Sequence, residues 1–216
     1  MTEEMHQRLA QAVIDGEPED AESLAKEALR QNLDPLACIT YGLTPGIQEV
    51  GKLFSSGEYF LPELIIGADA MKQALDVLEP AMLGDQKREV VGTIVLGTVE
   101  GDLHEIGKTL VGTMLTANGF KVIDIGVDKT ADEFINAIKD ADADMVGASA
   151  LLTTTMLQQK KLISELEAAG LRNKVKVMVG GAPVTESFAR EIGADGYAED
   201  AISAVDIAFR LVDAPA

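Results

Sequence analysis

The stretch VVGTIVLGTVEGDLHEIG at residues 90–107 decides how the second half of the chain is read. Its first seven residues are apolar or β-branched with almost no polar interruption, the texture of a strand buried on both faces. A glycine-bearing loop follows, and then a helical pattern. The same alternation recurs downstream. Runs of strand character lie at residues 122–125, 145–148 and 175–179, with a fainter one at 196–198, separated by helical stretches of ten or more residues. Strands alternating with helices predict a parallel sheet, so residues 90–216 are expected to form a five-stranded, doubly wound α/β domain of the Rossmann-like or flavodoxin-like kind.

Working upstream, residues 1–85 carry helical periodicity and little strand signal. Apolar side chains recur at Leu36, Ile39, Leu43, Ile47, Val50 and Phe54, and again at Leu61, Leu64, Ile65, Ala68, Met71, Leu75, Leu78 and Met82. Gaps of three or four place each set on one helix stripe. Two shorter amphipathic runs, at residues 3–14 and 18–31, complete a predicted four-helix bundle. Pro45 is expected to kink or split the third helix near Thr44. The charged segment at 86–89 marks the expected boundary, and only residues 213–216 read as a disordered tail.

Composition narrows the function classes. Thirty-six acidic residues against 18 basic ones leave a net charge of −18, with 17 acids and 7 bases in residues 1–89 and 19 and 11 in the remainder. Neither half has a basic footprint for nucleic acid or anionic lipid. Cys38 is the only cysteine, residues 1–12 are too polar for a signal peptide, and no run of 18 apolar residues exists. A cytoplasmic protein that does not span a membrane is expected.

Open parallel sheets bind ligands beyond the carboxyl ends of their strands, and the unusual residues gather there. After the first strand come Gly101, Asp102, Leu103, His104, Glu105, Ile106 and Gly107; after the third, Ser149, Leu151 and Thr153; after the fourth, Gly180 and Gly181; and Ala198 ends the fifth. Asp102 is placed to accept the second ring N–H of His104, which fixes the tautomer of a metal-ligating histidine. No further Cys or His lies nearby to close a zinc site. A metal held by one imidazole must bring its other ligands, which points to a macrocyclic cofactor. Taken one at a time, a helix-start histidine, a strand-end serine and a glycine pair in a turn are ordinary features. Together the glycines describe an open slot. His6, in a polar helix, is expected to be solvated.

Asp102-x-His104-x-x-Gly107, then 41 residues, Ser149-x-Leu151, 28 residues and Gly180-Gly181 resembles the signature of cobalamin-binding domains in methionine synthase, in corrinoid proteins of methyltransferase systems and in certain mutases. Phe54-x-x-Gly57-x-x-Phe60-Leu61-Pro62, with Met71-Lys72-Gln73-Ala74 and Leu78-Glu79-Pro80, is similar to the helical cap of methionine synthase and the small corrinoid proteins. The resemblance spans nearly the whole chain. It implies that the tail base of the cofactor leaves cobalt and threads into the slot, with His104 as the lower axial ligand and Asp102 as its partner. Thr155 stands where methionine synthase has a serine behind the aspartate. Ser149, Leu151 and Thr153 are implied to line the tail pocket, Gly180 and Gly181 to flank the nucleotide loop, and Phe54 and Leu61 to shield the methyl group. From spacing alone, the last two fit bundle core nearly as well.

The implied cofactor is cobalamin or a related corrinoid, its cobalt alternating between methylcob(III)alamin and cob(I)alamin. The implied role is a methyl carrier without autonomous activity. A substrate-specific methyltransferase, of methylamine or betaine type, loads it; an acceptor methyltransferase unloads it to a thiol or folate; a reductive corrinoid-activating protein maintains it. A cobalamin-dependent sensor, a mutase subunit and a flavin-binding domain are the competing readings. The first lacks a DNA-binding module, the second would not be expected to carry the cap, and the third leaves His104 unexplained.

Overall fold

Helices in the first half form where the apolar stripes demand them. In the computed structural model, which describes residues 2–82 and 90–212, the chain separates into two compact units, Met1–Glu89 and Val90–Ala216. The expected boundary segment at 86–89 and the expected tail at 213–216 lie outside the described residues. The first unit contains α1 (Thr2–Ile14), α2 (Pro18–Arg30), α3 (Pro35–Cys38), α4 (Thr44–Ser56) and α5 (Leu61–Leu78). Met5, Leu9, Ala12 and Val13 form the buried face of α1, and small residues, Ala21, Ala25 and Ala28, that of α2.

Pro45 does not break its helix. A π turn at Ile39–Leu43 joins α3 to α4, and the N–H of Thr44 reaches back to the carbonyl of Ile39. The backbone stays helical through Leu43 and Thr44. A proline has no N–H for the carbonyl four residues earlier and its ring crowds that carbonyl; the wider turn gives it room. Gly42 packs against α1 there, so that a Cβ on it would lie 3.1 Å from Leu9 Cβ and 3.2 Å from the His6 carbonyl. His6 is consequently half-buried, not fully solvated. Its ring lies 5.9 Å from that of Tyr41, and its Nε2 is buried without a hydrogen-bond partner.

The second unit is the expected parallel sheet. Its strands are β1 (Thr93–Thr98), β2 (Lys121–Asp124), β3 (Met145–Ser149), β4 (Lys176–Gly180) and β5 (Gly196–Ala198), in the order β2-β1-β3-β4-β5. β1 starts later than its sequence pattern, because the N–H of Thr93 is taken by the Asp144 carboxylate at 2.7 Å and Val90 is left exposed. Between the strands run α6 (Ile106–Ala117), α7 (Ala131–Ala141), α8 (Met156–Ala168), α9 (Glu186–Ile192) and α10 (Ala201–Val212). One face of the sheet, through Val95, Val146, Val177 and Val179, packs into a core with Phe134 and Ile135 of α7, Leu162 and Leu166 of α8 and Ile192 of α9. On the other face, Gly112 brings α6 onto Leu96, and Ile207 of α10 packs on Gly196. The chain therefore reverses its winding between β1 and β3, and their carboxyl ends flank a crevice.

Candidate functional site

Asp102 organises this crevice. Val99 continues from β1 and gives its N–H to the Ser149 carbonyl, and the N–H of Asp102 returns to the Val99 carbonyl at 3.1 Å. Gly101 is the third residue of that turn and has φ +82, a conformation that L side chains rarely adopt. Asp128 secures the loop from the β2 side. Its carboxylate accepts the Gly101 N–H at 2.7 Å, and its own N–H reaches the Asp102 carbonyl at 3.0 Å. Thr98 adds a hydroxyl bond to the His104 carbonyl at 2.9 Å.

The carboxylate of Asp102 is fully buried. Its Oδ1 accepts from His104 twice, from the backbone N–H at 3.1 Å and from Nδ1 at 2.7 Å. Oδ2 accepts from the Leu151 N–H at 2.7 Å, the Leu152 N–H at 3.3 Å and the Thr155 hydroxyl at 2.7 Å. Burial works against ionisation, but hydrogen bonds from Thr155, Leu151 and His104 outweigh it and hold the carboxyl well below the usual carboxylate range. An ionised Asp102 makes the proton of His104 reside on Nδ1. Nε2 is then left with a lone pair and no protein partner among the described residues.

The surroundings of that nitrogen suit a large apolar ligand. The imidazole is half exposed, and Leu103, Ile106, Leu151, Leu152 and Leu157 are exposed apolar side chains on the same two segments. A Cβ on Gly107 would meet nothing within 4 Å, and one on Gly101 only Thr155 at 3.6 Å. Among the described residues no group of three or more His, Cys, Asp or Glu side chains could enclose a metal ion. One imidazole nitrogen beside an uncrowded apolar apron thus fits a metal whose remaining ligands arrive with it.

The other singled-out residues divide. Glu105 is the exposed residue before α6. Thr153 is exposed in the loop before α8, and Ser149 ends β3 half-buried. Gly180 and Gly181 do not hold space open. A Cβ on Gly180 would come within 2.8 Å of the Ala198 carbonyl oxygen, and one on Gly181 within 1.8 Å of the Ala150 carbonyl oxygen. This chain's own backbone fills the room, so the slot expected from four glycines is open at only two. In the first unit Phe54 is half-buried, and Leu61 and Ile65 are exposed. The apolar stripe of α5 therefore includes side chains that its bundle does not cover.

Several residues escaped the sequence reading. Lys108, one residue past Gly107, is buried and pairs with Asp124 at the end of β2. Asp124 also accepts the Gly126 N–H at 2.9 Å, so the pair ties α6 to the loop after β2. A lysine inside an otherwise apolar helix start was the available signal. Asp128 and Gln159 gave none.

Residues 92–206 match a family model described as a B12 binding domain, and residues 5–79 match a second with the same description. The chain is 47% identical over 206 residues to a corrinoid protein of Desulfitobacterium hafniense, covering 94% of this chain and 95% of that one. It is 46% identical to dimethylamine corrinoid protein 1 of Methanosarcina mazei, with 97% of each chain covered. Among solved structures it is similar to a chain of the methanol:cobalamin methyltransferase complex of Methanosarcina barkeri, with a TM-score of 0.86, 32% identity, and 97% of this chain and 80% of that one covered.

Proposed function

Because this chain belongs to the family of B12-binding corrinoid proteins, we propose that it carries a methyl group on cobalt from a substrate-specific methyltransferase to a second one. The corrinoid supplies, when bound, a cobalt centre able to accept and release a methyl group. His104 would hold the cobalt through Nε2. Asp102 keeps the imidazole oriented with its proton on Nδ1, and Thr155 and the Leu151 and Leu152 amides keep Asp102 charged. Ser149, Leu151 and Thr153 would line the pocket for the nucleotide tail, Gly180, Gly181 and Ala198 would support its far wall, and Phe54 and Leu61 would shield the bound methyl group from water. The loading partner acts on a methylated amine, a choice supported by relatives named for dimethylamine. The acceptor partner serves a thiol or folate, a reductive activating protein would return oxidised cofactor to its reduced state, and the cycle runs in the cytosol.

One observation carries this reading: a buried carboxylate occupies Nδ1 and leaves Nε2 as the free nitrogen of a half-exposed imidazole. The apoprotein mixed with cobalamin is expected to turn red and bind one equivalent. With 15N-histidine label, electron paramagnetic resonance of the cobalt(II) form is expected to show one histidine nitrogen on the metal. A colourless protein, or a cofactor that keeps its own base on cobalt, overturns the reading.

A further inference from the structure

Lys108 stands against two physical preferences. It lies in the first turn of α6, where the helix macrodipole disfavours a cation, and its side chain is 2% exposed, where a charge is costly unless paired. Asp124 at the end of β2 supplies the pairing, through a carboxylate that is itself 39% exposed. Little else fastens this end of the helix. Glu105, the residue before it, makes no side-chain cap bond, Leu103 and Ile106 are exposed, and Gly107 has no side chain to pack. No residue from Leu103 to Thr113 other than Lys108 is buried.

The pair closes a ring back to the histidine. Asp124 Oδ1 accepts the Gly126 N–H at 2.9 Å, the Gly126 carbonyl accepts the Thr98 N–H at 3.0 Å, and the Thr98 hydroxyl donates to the His104 carbonyl at 2.9 Å. The chain from His104 to Lys108 completes the circuit, so that segment is fixed at one end to β1 and at the other to β2. We infer that Lys108 is a positioning residue for His104: its bond to Asp124 pins the start of α6, so that the imidazole is already in place when the cofactor arrives and prevails over the cofactor's own base for cobalt. Holding a ligand in position raises its effective concentration without adding a contact to the metal. This inference rests on the proposed function and adds to it the residue that sets the balance between the two lower ligands.

Lys108→Met fills the same buried space and leaves no unpaired charge inside, because Asp124 is exposed enough to be hydrated. With 15N-histidine label, electron paramagnetic resonance of the cobalt(II) protein separates the two ligands, since histidine gives a 15N splitting and the cofactor's base a 14N one. The variant is expected to bind cobalamin, with the ratio of histidine to cofactor-base ligation lowered about tenfold. In the variant's apoprotein, hydrogen exchange at the His104 and Thr109 amides, which bond to Asp102 Oδ1 and the Glu105 carbonyl, is expected to be about tenfold faster, while the last turn of α6 is unchanged. A role in stability alone would shift urea unfolding and leave cobalt ligation as in the wild type. Wild-type apoprotein carries the test if the variant does not fold: the Lys108 ammonium protons are expected to exchange in step with the His104 and Thr109 amides. A folded methionine variant with full histidine signal, or ammonium protons that exchange independently of those amides, overturns the role of Lys108 and leaves the proposed function standing. A wild type without histidine nitrogen on cobalt removes both.

Discussion

Asp102 and Thr155 are 53 residues apart in the chain, yet the threonine hydroxyl donates to Asp102 Oδ2 at 2.7 Å. The two sit at the ends of loops leaving adjacent strands, β1 and β3, so the sheet's winding makes the bond. Thr155→Val removes it without changing side-chain shape. The variant is expected to lose about 1–3 kcal/mol of stability in urea denaturation, the range for a buried bond to a charged group, and Thr155→Ser to restore most of it. Unchanged stability in the valine variant would show that Asp102 is held by the backbone amides alone.

The carboxylate also decides where the His104 proton sits. An asparagine at 102 cannot accept on both sides. If its oxygen faces the Leu151 and Leu152 N–H groups, its NH2 faces Nδ1, which must then accept, and Nε2 carries the proton. Asp102→Asn is therefore expected to convert the ring tautomer in 15N spectra of neutral imidazole and to block Nε2 as a ligand. Persistence of the Nδ1–H form would overturn this account of the pair.

His104→Ala is expected to retain cobalamin, because the tail pocket remains, but to lose the histidine signal on cobalt and to slow methyl transfer by at least tenfold. Binding and turnover measured on one preparation separate the two effects. Normal turnover would remove the axial role.

Two glycines make opposite predictions. Gly181 has φ +120, and a Cβ there would lie 1.8 Å from the Ala150 carbonyl oxygen, so Gly181→Ala is expected to cost at least about 3 kcal/mol or prevent folding. Gly107 opens onto empty space near the start of α6, so Gly107→Ala is expected to leave apoprotein stability within about 1 kcal/mol, on the stabilising side. Its effect should appear in corrinoid affinity. Thermal melts and cobalamin titrations of both variants distinguish a glycine kept for backbone packing from one kept for ligand approach.

At the start of α7, the Thr130 backbone N–H, the Lys129 ammonium and the Thr130 hydroxyl hold Glu133 down from 4.5 to about 2. Its folded pKa is below its unfolded one. The stabilisation is fully present above about pH 4.5 and is lost as pH falls toward about 2. Hydrogen exchange of the first α7 turn is expected to accelerate across that window, and Glu133→Gln to flatten the response. Exchange independent of pH there, after correction for intrinsic rates, would contradict the capping role.

Periodicity made the α/β half legible, because a strand covered on both faces must be apolar throughout and each crossover helix must bury one stripe. The motif spacing likewise marked Asp102, His104 and the loops at one sheet edge. These signals are local: a stripe follows from residues three and four apart, and a loop residue's chemistry from its own side chain.

Strand order is not local. Only with β1 beside β3 do the Leu151 amide and the Thr155 hydroxyl meet Asp102 Oδ2, and only with β3 beside β4 can one carboxamide at Gln159 bond to both. Tertiary packing also overrode local rules twice: the helix at Pro45 continued through a wider turn, and the space at Gly180 and Gly181 was taken by neighbouring backbone. The sequence by itself determined which main elements form and which residues stand as candidates for the site, because both are written in neighbouring side chains. Which donors reach the buried carboxylate, and which glycines stay open to a ligand, the tertiary structure alone decided, because those distances join segments dozens of residues apart.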